Sequence, residues 1–174
     1  MAYKPFDLSG KTALVTGGNG GIGLGMADAM AQAGANVCIW GTNADKNASA
    51  LEQLSAHGTE VAAMICDVSD EAQVEGRFAE TIERFGNLHG VFANAGVSGG
   101  REQVPFTEMT TKRWRQIVGI NLDGAFFTFR AAARHMVEHG EDGRIVGTAS
   151  LAAISGAARN EHYAATKGGM VSMI

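Results

Sequence analysis

Tyr163 and Lys167 stand four residues apart in Tyr163-Ala164-Ala165-Thr166-Lys167, a spacing that sets a phenol and an ammonium on one face of a helix. A phenol with a pKa near ~10 moves protons poorly at neutral pH; a neighbouring cation stabilises the phenolate and suits the pair to acid–base work. Alone, such a pair more often marks an ordinary helix surface. Ser150 adds a hydroxyl thirteen residues earlier, just past Arg144–Thr148, an apolar run that reads as a strand. In open parallel sheets, ligands bind beyond the carboxyl ends of the strands, where that hydroxyl would lie.

A second group is Thr16-Gly17-Gly18-Asn19-Gly20-Gly21-Ile22-Gly23. It falls between a strand-like run, Lys11–Thr16, and a helical pattern. A tight turn without side chains lets backbone amides approach a pyrophosphate, and the helix N-terminus adds partial positive charge. Gly18, Gly20 and Gly23 satisfy GxGxxG, while Thr16, Gly17, Gly21 and Gly23 satisfy TGxxxGxG. The first is weak by itself, but the strand before and helix after supply the context it needs. No Lys-Ser/Thr follows, which argues against a P-loop nucleotidase. In a dinucleotide site, an acid at the end of the second strand favours NAD and an Arg favours NADP. Trp40-Gly41-Thr42-Asn43 offers neither, and Lys46 alone is near, so the balance tips slightly towards NADP.

The elements that must carry these residues alternate along the chain. Strands are expected at Lys11–Thr16, Asn36–Trp40, Val61–Cys66, Leu88–Ala93 and Arg144–Thr148. Between them lie helices. The first turns Ile22, Met26, Met30 and Ala33 to one face. The second is capped by Asp45 and runs to His57. The third is capped by Asp70 and carries Val74, Phe78, Ile82 and Phe85. A long fourth helix, from Thr110 to His139, has Phe126, Phe129, Ala133, Met136 and Val137 on one face. Gly34, Gly58 and Gly86 follow three of these helices as terminators. The connections are too long for hairpins. Right-handed βαβ units are implied, with a parallel sheet covered on both faces. His135-Met136-Val137-Glu138-His139 spells the inverted zinc-peptidase pattern. A third ligand is wanting, however, and the segment reads as the solvated end of the long helix, with no metal expected.

The 174 residues fit one domain, 1–174, and 45% hydrophobic against 18% charged residues excludes disorder. Glycine, at 24 residues, is about twice its usual ~7%, but with two prolines and no Gly-X-Y period collagen is excluded. A net charge of −4 without a basic tract argues against nucleic acid or an anionic membrane as partner. Met1–Asp7 holds no apolar stretch of a secretory signal, and no run approaches the ~20 apolar residues of a membrane span. Cytoplasm is the expected compartment. Cys38 and Cys66 read as small buried hydrophobes rather than a disulfide pair.

Taken together, the chain resembles the short-chain dehydrogenase/reductase family from about Leu8 onward. The residues that carry the resemblance are the TGxxxGxG of Thr16–Gly23, Ala93-Asn94-Ala95-Gly96, Asn121 in Ile120-Asn121-Leu122, Ser150, and Tyr163 with Lys167. Ala93 stands where the family most often has Asn. The resemblance implies a doubly wound Rossmann-type α/β sheet of order 3-2-1-4-5. It implies Tyr163 as general acid/base, Lys167 as holder of the nicotinamide ribose and promoter of the phenolate, and Ser150 as orienter of the substrate. Asn121 would support a proton relay from Lys167, and Asp67 and Val68 would meet the adenine. Thr16, Gly17, Gly18, Asn19, Gly21, Ile22, Gly23, Thr42, Asn43, Asn94, Ala95 and Gly96 complete the expected NAD or NADP site. Read alone, Asn121, Asp67 and Asn94 are equally well explained as helix and turn residues.

The implied reaction passes a hydride between the cofactor and a secondary alcohol or ketone. Substrates of the 3-oxoacyl, polyol or sugar kind are expected, selected in part by the loop Val97–Met109. The long helix and the last one are expected to join subunits in a homodimer or homotetramer. Two further strands, a substrate-covering loop and a cofactor-contacting segment would follow in a family member, so a dinucleotide-binding fragment or sensor without catalysis is the rival reading. A sugar-nucleotide epimerase shares YxxxK, but its glycine motif is spaced differently.

Overall fold

The computed structural model describes residues 6–98, 104–139 and 142–174. Residues 99–103 of the expected substrate loop, and Gly140 and Glu141 after the long helix, lie outside them, as does most of the N-terminal segment. Five parallel strands form one sheet: β1 (Thr12–Thr16), β2 (Asn36–Gly41), β3 (Val61–Ile65), β4 (Gly90–Ala93) and β5 (Arg144–Gly147), in the order β3-β2-β1-β4-β5. That is the order the resemblance implies.

The connecting helices are α1 (Gly21–Gln32), α2 (Ala44–Ser55), α3 (Glu71–Phe85), α4 (Thr111–Val118), α5 (Gly124–His139), α6 (Ala152–Ser155) and α7 (Glu161–Met173). Strand side chains alternate between two cores. Leu14, Cys38, Trp40 and Val91 pack with Val74 and Phe78 of α3 and Ala131 and Ala132 of α5. Val15, Val37, Ile39 and Val61 pack with Ala27 and Ala31 of α1 and Ala50 and Leu54 of α2. Burial on both faces is why β1 and β2 are continuous apolar runs. Register pairs Thr16 with Trp40, Gly41 with Ile65 and Ala93 with Gly147. The carboxyl ends therefore share one edge, and everything that follows β1, β2, β3, β4 and β5 emerges there.

Four expectations are corrected. Residues 110–139 are not one α-helix: Gly119–Asp123 is a π turn, closed by Gly124 N–H donating to the Gly119 carbonyl, and it separates α4 from α5. On α5 the buried face is Gly124, Ala125, Thr128, Ala131, Ala132 and His135, whereas Val137 is 81% exposed and Phe126 and Ala133 also face outward. On α1 the stripe that meets the sheet is Gly23, Ala27 and Ala31, and Ile22 is 66% exposed. The cap of α2 is Asn43, whose Oδ1 accepts from Lys46 N at 2.8 Å; Asp45 sits inside the first turn. On α1 and α5, small side chains let the backbone come close to the sheet, and close packing outweighs the hydrophobicity of a larger residue one position away; at α2, an Asn side chain one residue before the helix reaches the free N–H groups of the first turn, which Asp45 inside the turn does not.

Asp70 caps α3 as expected, accepting from Gln73 N at 3.2 Å, and Thr110 caps α4, accepting from Arg113 N at 3.2 Å. The histidine pair at the end of α5 is not solvated throughout. His135 is buried, its Nε2 lies 2.7 Å from Asn87 Oδ1, and Leu88 N donates to it at 3.3 Å. It ties α5 to the start of β4. Among the described residues no cluster of three or more His, Cys, Asp or Glu is placed to hold a metal. No helix among them is long and apolar enough to cross a membrane. Cys38 and Cys66 are unpaired and buried, and burial pushes their thiols up to about 11 and about 12.

Candidate active site

Thr16 closes β1 with a buried hydroxyl that works across the sheet. Its Oγ1 accepts from Asn94 N and Ala95 N, both at 3.0 Å, and donates to Phe92 O at 3.4 Å. Asn94 returns the tie: Nδ2 donates to Thr16 O at 3.1 Å and Gly17 O at 3.4 Å, and Oδ1 accepts from Thr148 Oγ1 at 3.1 Å. The ends of β1, β4 and β5 are thus bolted together behind the glycine turn. Gly17 has φ +64°, and a Cβ there would lie 2.9 Å from Ala95 Cα. Gly23, in the first turn of α1, faces the Gly17 carbonyl and the Asn94 amide closer than any Cβ could stand. The turn accordingly presents backbone, and the amino end of α1, to the space in front.

That space is a cleft of two connected cavities. One, of about 490 Å³, is lined by Gly17, Asn19, Gly20, Gly21, Ile22, Gly23, Lys46, Asn94, Thr148, Tyr163 and Lys167, among others. The other, of about 400 Å³, is lined by Trp40, Gly41, Thr42, Cys66, Asp67, Val68 and Ile120. Gly17, Asn19, Ala95, Gly96 and Val97 border both. The glycine-lined cradle, the amino end of α1 and the Lys167 ammonium are groups that fit the phosphates and ribose of a dinucleotide.

Lys167 is almost fully buried, and its Nζ donates to Thr148 O at 2.6 Å and sits 5.8 Å from the Tyr163 ring centroid. Desolvation holds its ammonium below the ordinary lysine range. Asn121 lies in the π turn, fully buried: Oδ1 accepts from Val97 N at 2.8 Å, and Nδ2 donates to Val97 O at 2.9 Å and Thr166 Oγ1 at 3.2 Å. A Cβ on Gly96 would meet Asn121 Oδ1 at 3.3 Å and Lys167 Nζ at 3.5 Å, so these two groups flank Gly96 together.

The expected residues do not all converge. Ser150 Oγ accepts from Ala152 N at 3.2 Å at the start of α6 and borders neither cavity. Asn43 spends its side chain on the α2 cap, and Gly18 packs on Ile39 and donates to Trp40 O at 3.2 Å. Asp67 and Val68 border the second cavity, with Asp67 Oδ1 accepting from Ser69 N and Oγ. Sequence reasoning missed Thr148, Thr166 and Asn47, whose Oδ1 accepts from Nδ2 of the cleft residue Asn19 at 2.7 Å. Thr148 ends the run Arg144–Thr148 and could have been suspected from that position; nothing in the pattern marked the other two.

Thr166 Oγ1, fully buried, accepts from Asn121 and donates to Tyr163 O at 2.8 Å. Replacing it by the near-isosteric Val leaves one Asn121 N–H without this partner. Urea unfolding should register a loss on the order of 1–3 kcal/mol, largely restored by Thr166→Ser.

His162 is fully buried, and neither ring nitrogen has a hydrogen-bond partner. Desolvation holds its pKa below the usual 6.5, and the positive charge of Arg113 from α4 works in the same direction, while Glu161 and the backbone at Asn160 oppose it. The folded chain resists a proton that the unfolded chain accepts. Stability is therefore intact above pH 6.5 and declines as pH falls below it. In thermal melts between pH 7.5 and 5.5, His162→Leu should flatten that decline.

A parallel sheet of this order with a glycine turn at its carboxyl edge defines a Rossmann-like α/β protein. The chain belongs to the short chain dehydrogenase family, which it matches over residues 11–174. It is 36% identical over 168 residues to the 2,5-dichloro-2,5-cyclohexadiene-1,4-diol dehydrogenase of Sphingobium indicum, covering 96% of this chain and 65% of that one. It is 37% identical over 172 residues to the L-rhamnose-1-dehydrogenase of Scheffersomyces stipitis, with the same coverage. The structure of an NAD+-bound xylitol dehydrogenase superimposes with a TM-score of 0.91 at 31% identity, over 95% of this chain and 63% of that one. The chain thus spans about 65% of the length of the curated relatives it matches.

Proposed function

We propose that this chain carries the cofactor-binding and acid–base machinery of an oxidoreductase that interconverts a secondary alcohol and its ketone with NAD or NADP. The observation that carries the reading is the joint placement of Tyr163, Lys167 and the Gly17–Gly23 turn on one cavity. The nicotinamide, when bound, supplies or takes up the hydride. Tyr163 Oη gives its proton to the carbonyl oxygen during reduction and takes it from the hydroxyl during oxidation. Lys167 keeps a cation beside that phenol, anchored by Thr148 O, and is placed to hold a ribose hydroxyl. Asn121 fixes the Val97 backbone through both its amide atoms, which keeps the Gly96–Val97 wall of the cleft in place. Ser150 orients the substrate oxygen once its hydroxyl turns from the Ala152 amide.

The names of the relatives, a cyclic diol dehydrogenase and sugar and polyol dehydrogenases, support a cyclic or polyhydroxylated alcohol, and a 3-oxoacyl-[acyl-carrier-protein] reductase of Chlamydia pneumoniae, 32% identical over 165 residues, supports a 3-oxoacyl substrate as well. The slight lean to NADP rests on the missing acid at the end of β2 and on Lys46 in the cleft wall. A cytoplasmic homo-oligomer is in keeping with the buried free thiols and with the exposed apolar Phe126 and Val137 on α5 and Val171 on α7.

Calorimetric titration with both dinucleotides, followed by turnover assays over cyclic diols, polyols, sugars and ketones, tests the reading. Binding with turnover is expected. Binding with no hydride transfer on any substrate would favour a dinucleotide sensor, and absence of binding would overturn both.

A further inference from the structure

Arg159 is the one residue other than glycine, among the described residues, whose backbone is left-handed, at φ +61°. A long side chain in that region carries a free-energy cost that glycine avoids, and such outliers persist only where the surroundings hold them. The hold here is Glu161, whose Oε1 accepts from Arg159 N at 2.9 Å. The nearest acid in sequence thus engages the Arg159 backbone, not its guanidinium, and its Oε2 is buried with no hydrogen-bond partner among the described residues. Arg159 is exposed, and its guanidinium makes no hydrogen bond or ion pair among the described residues. The fold therefore draws no contact from this arginine, and glycine would relieve the backbone.

The position is the link between α6 and α7, the elements that carry Ser150 and Tyr163. From Ser150 to Asn160, Arg159 is the only charged residue, and Leu151 and Ile154 beside it are exposed apolar groups. Four residues of chain, at most about 14 Å, separate its Cα from that of Tyr163. The long arginine side chain and a sugar-sized substrate bridge that distance together.

We propose that Arg159 is a specificity residue that receives an anionic group of the substrate, a carboxylate or a phosphate, while Tyr163 addresses the reacting oxygen. This rests on the oxidoreductase reading above and narrows it to alcohols and ketones that carry an anion. The planar fork of a guanidinium pairs with either group through two parallel N–H bonds. Glu161, tied to the backbone, does not compete for that fork.

The test uses sorbitol, gluconate and sorbitol 6-phosphate, a neutral, a carboxylate and a phosphate form of similar polyols. Their Kd values are measured by calorimetry on dinucleotide-saturated protein, for wild type, Arg159→Gln, Arg159→Lys and Arg159→Gly. Wild type should bind at least one anion about tenfold or more tighter than sorbitol, as a charge-assisted pair requires, and which one it prefers assigns carboxylate or phosphate. Arg159→Gln should bring that ratio below about threefold, and Arg159→Lys should keep part of it. In both, dinucleotide Kd should stay within about threefold of wild type. Arg159→Gly should lose the preference yet unfold at higher urea, because glycine adopts the left-handed backbone readily. No anion preference in wild type, or one unchanged in Arg159→Gln, overturns the assignment. So does a lower urea midpoint in Arg159→Gly, which would make the guanidinium structural. The oxidoreductase reading survives these outcomes if the protein binds dinucleotide and turns over an uncharged alcohol. Failure to bind either dinucleotide overturns that reading, and the assignment with it.

Discussion

Tyr163→Phe should lower turnover by about 10²–10⁴-fold, the usual loss when a positioned acid–base group is removed, while dinucleotide affinity stays within about threefold. The ring and its packing survive the change. So does the hydrogen bond from Thr166, since Tyr163 O, its acceptor, belongs to the backbone. The Lys167–Thr148 and Asn94–Thr16 contacts that shape the cleft do not involve the phenol oxygen. Single-turnover measurement of hydride transfer, with calorimetry on the same sample, separates the two effects. Retained turnover would remove Tyr163 from the chemistry; a parallel loss of binding would make it a wall of the cofactor site.

The second large effect is expected at Gly23. Alanine is the better helix former by about 1 kcal/mol, so in an open helix the change would stabilise. Here the new methyl meets the Gly17 carbonyl and the Asn94 amide, neither of which can swing aside as a flexible side chain does. Overpacking of this kind typically costs ~1–3 kcal/mol, and relief requires α1 to back away from the glycine turn that lines the cleft. Net destabilisation is expected, with dinucleotide affinity down by more than about tenfold. Gly25→Ala is the control on the same helix: a Cβ there meets nothing within 4 Å, so urea unfolding should show equal or greater stability and calorimetry unchanged binding.

Periodicity was enough to place the strands, because β1 and β2 are apolar runs buried on both faces and need no fine reading. Strand order came from family resemblance, which no local pattern supplies. The helix faces were harder. Hydropathy favours large residues such as Ile22, Phe126 and Val137, whereas the contact surfaces are built from Gly23, Ala27, Ala131 and Ala132, chosen for closeness of approach. The glycine turn and the Tyr163–Lys167 pair were legible because their chemistry needs those residue types at those spacings. Asn47 and Thr166 were not, because an amide and a hydroxyl acting through a neighbour carry no spacing of their own.

The π turn at Gly119–Asp123 has a consequence for how the chain tolerates insertion and deletion. A turn closed over five residues holds one residue more than an α turn, and each residue advances a helix by about 100°. Removing that extra residue would let the helix run straight with everything downstream in its present phase, because the wide turn absorbs one residue within a single revolution. Winding the same residues into an α-helix would instead turn Thr128, Ala132 and His135 out of the interior by about 100° and a flank of larger side chains in. The segment that holds Asn121 is therefore also the phase-setting link between two helical lengths: it tolerates the loss of one residue if the turn narrows, and α5 keeps its seat on the sheet by that exchange.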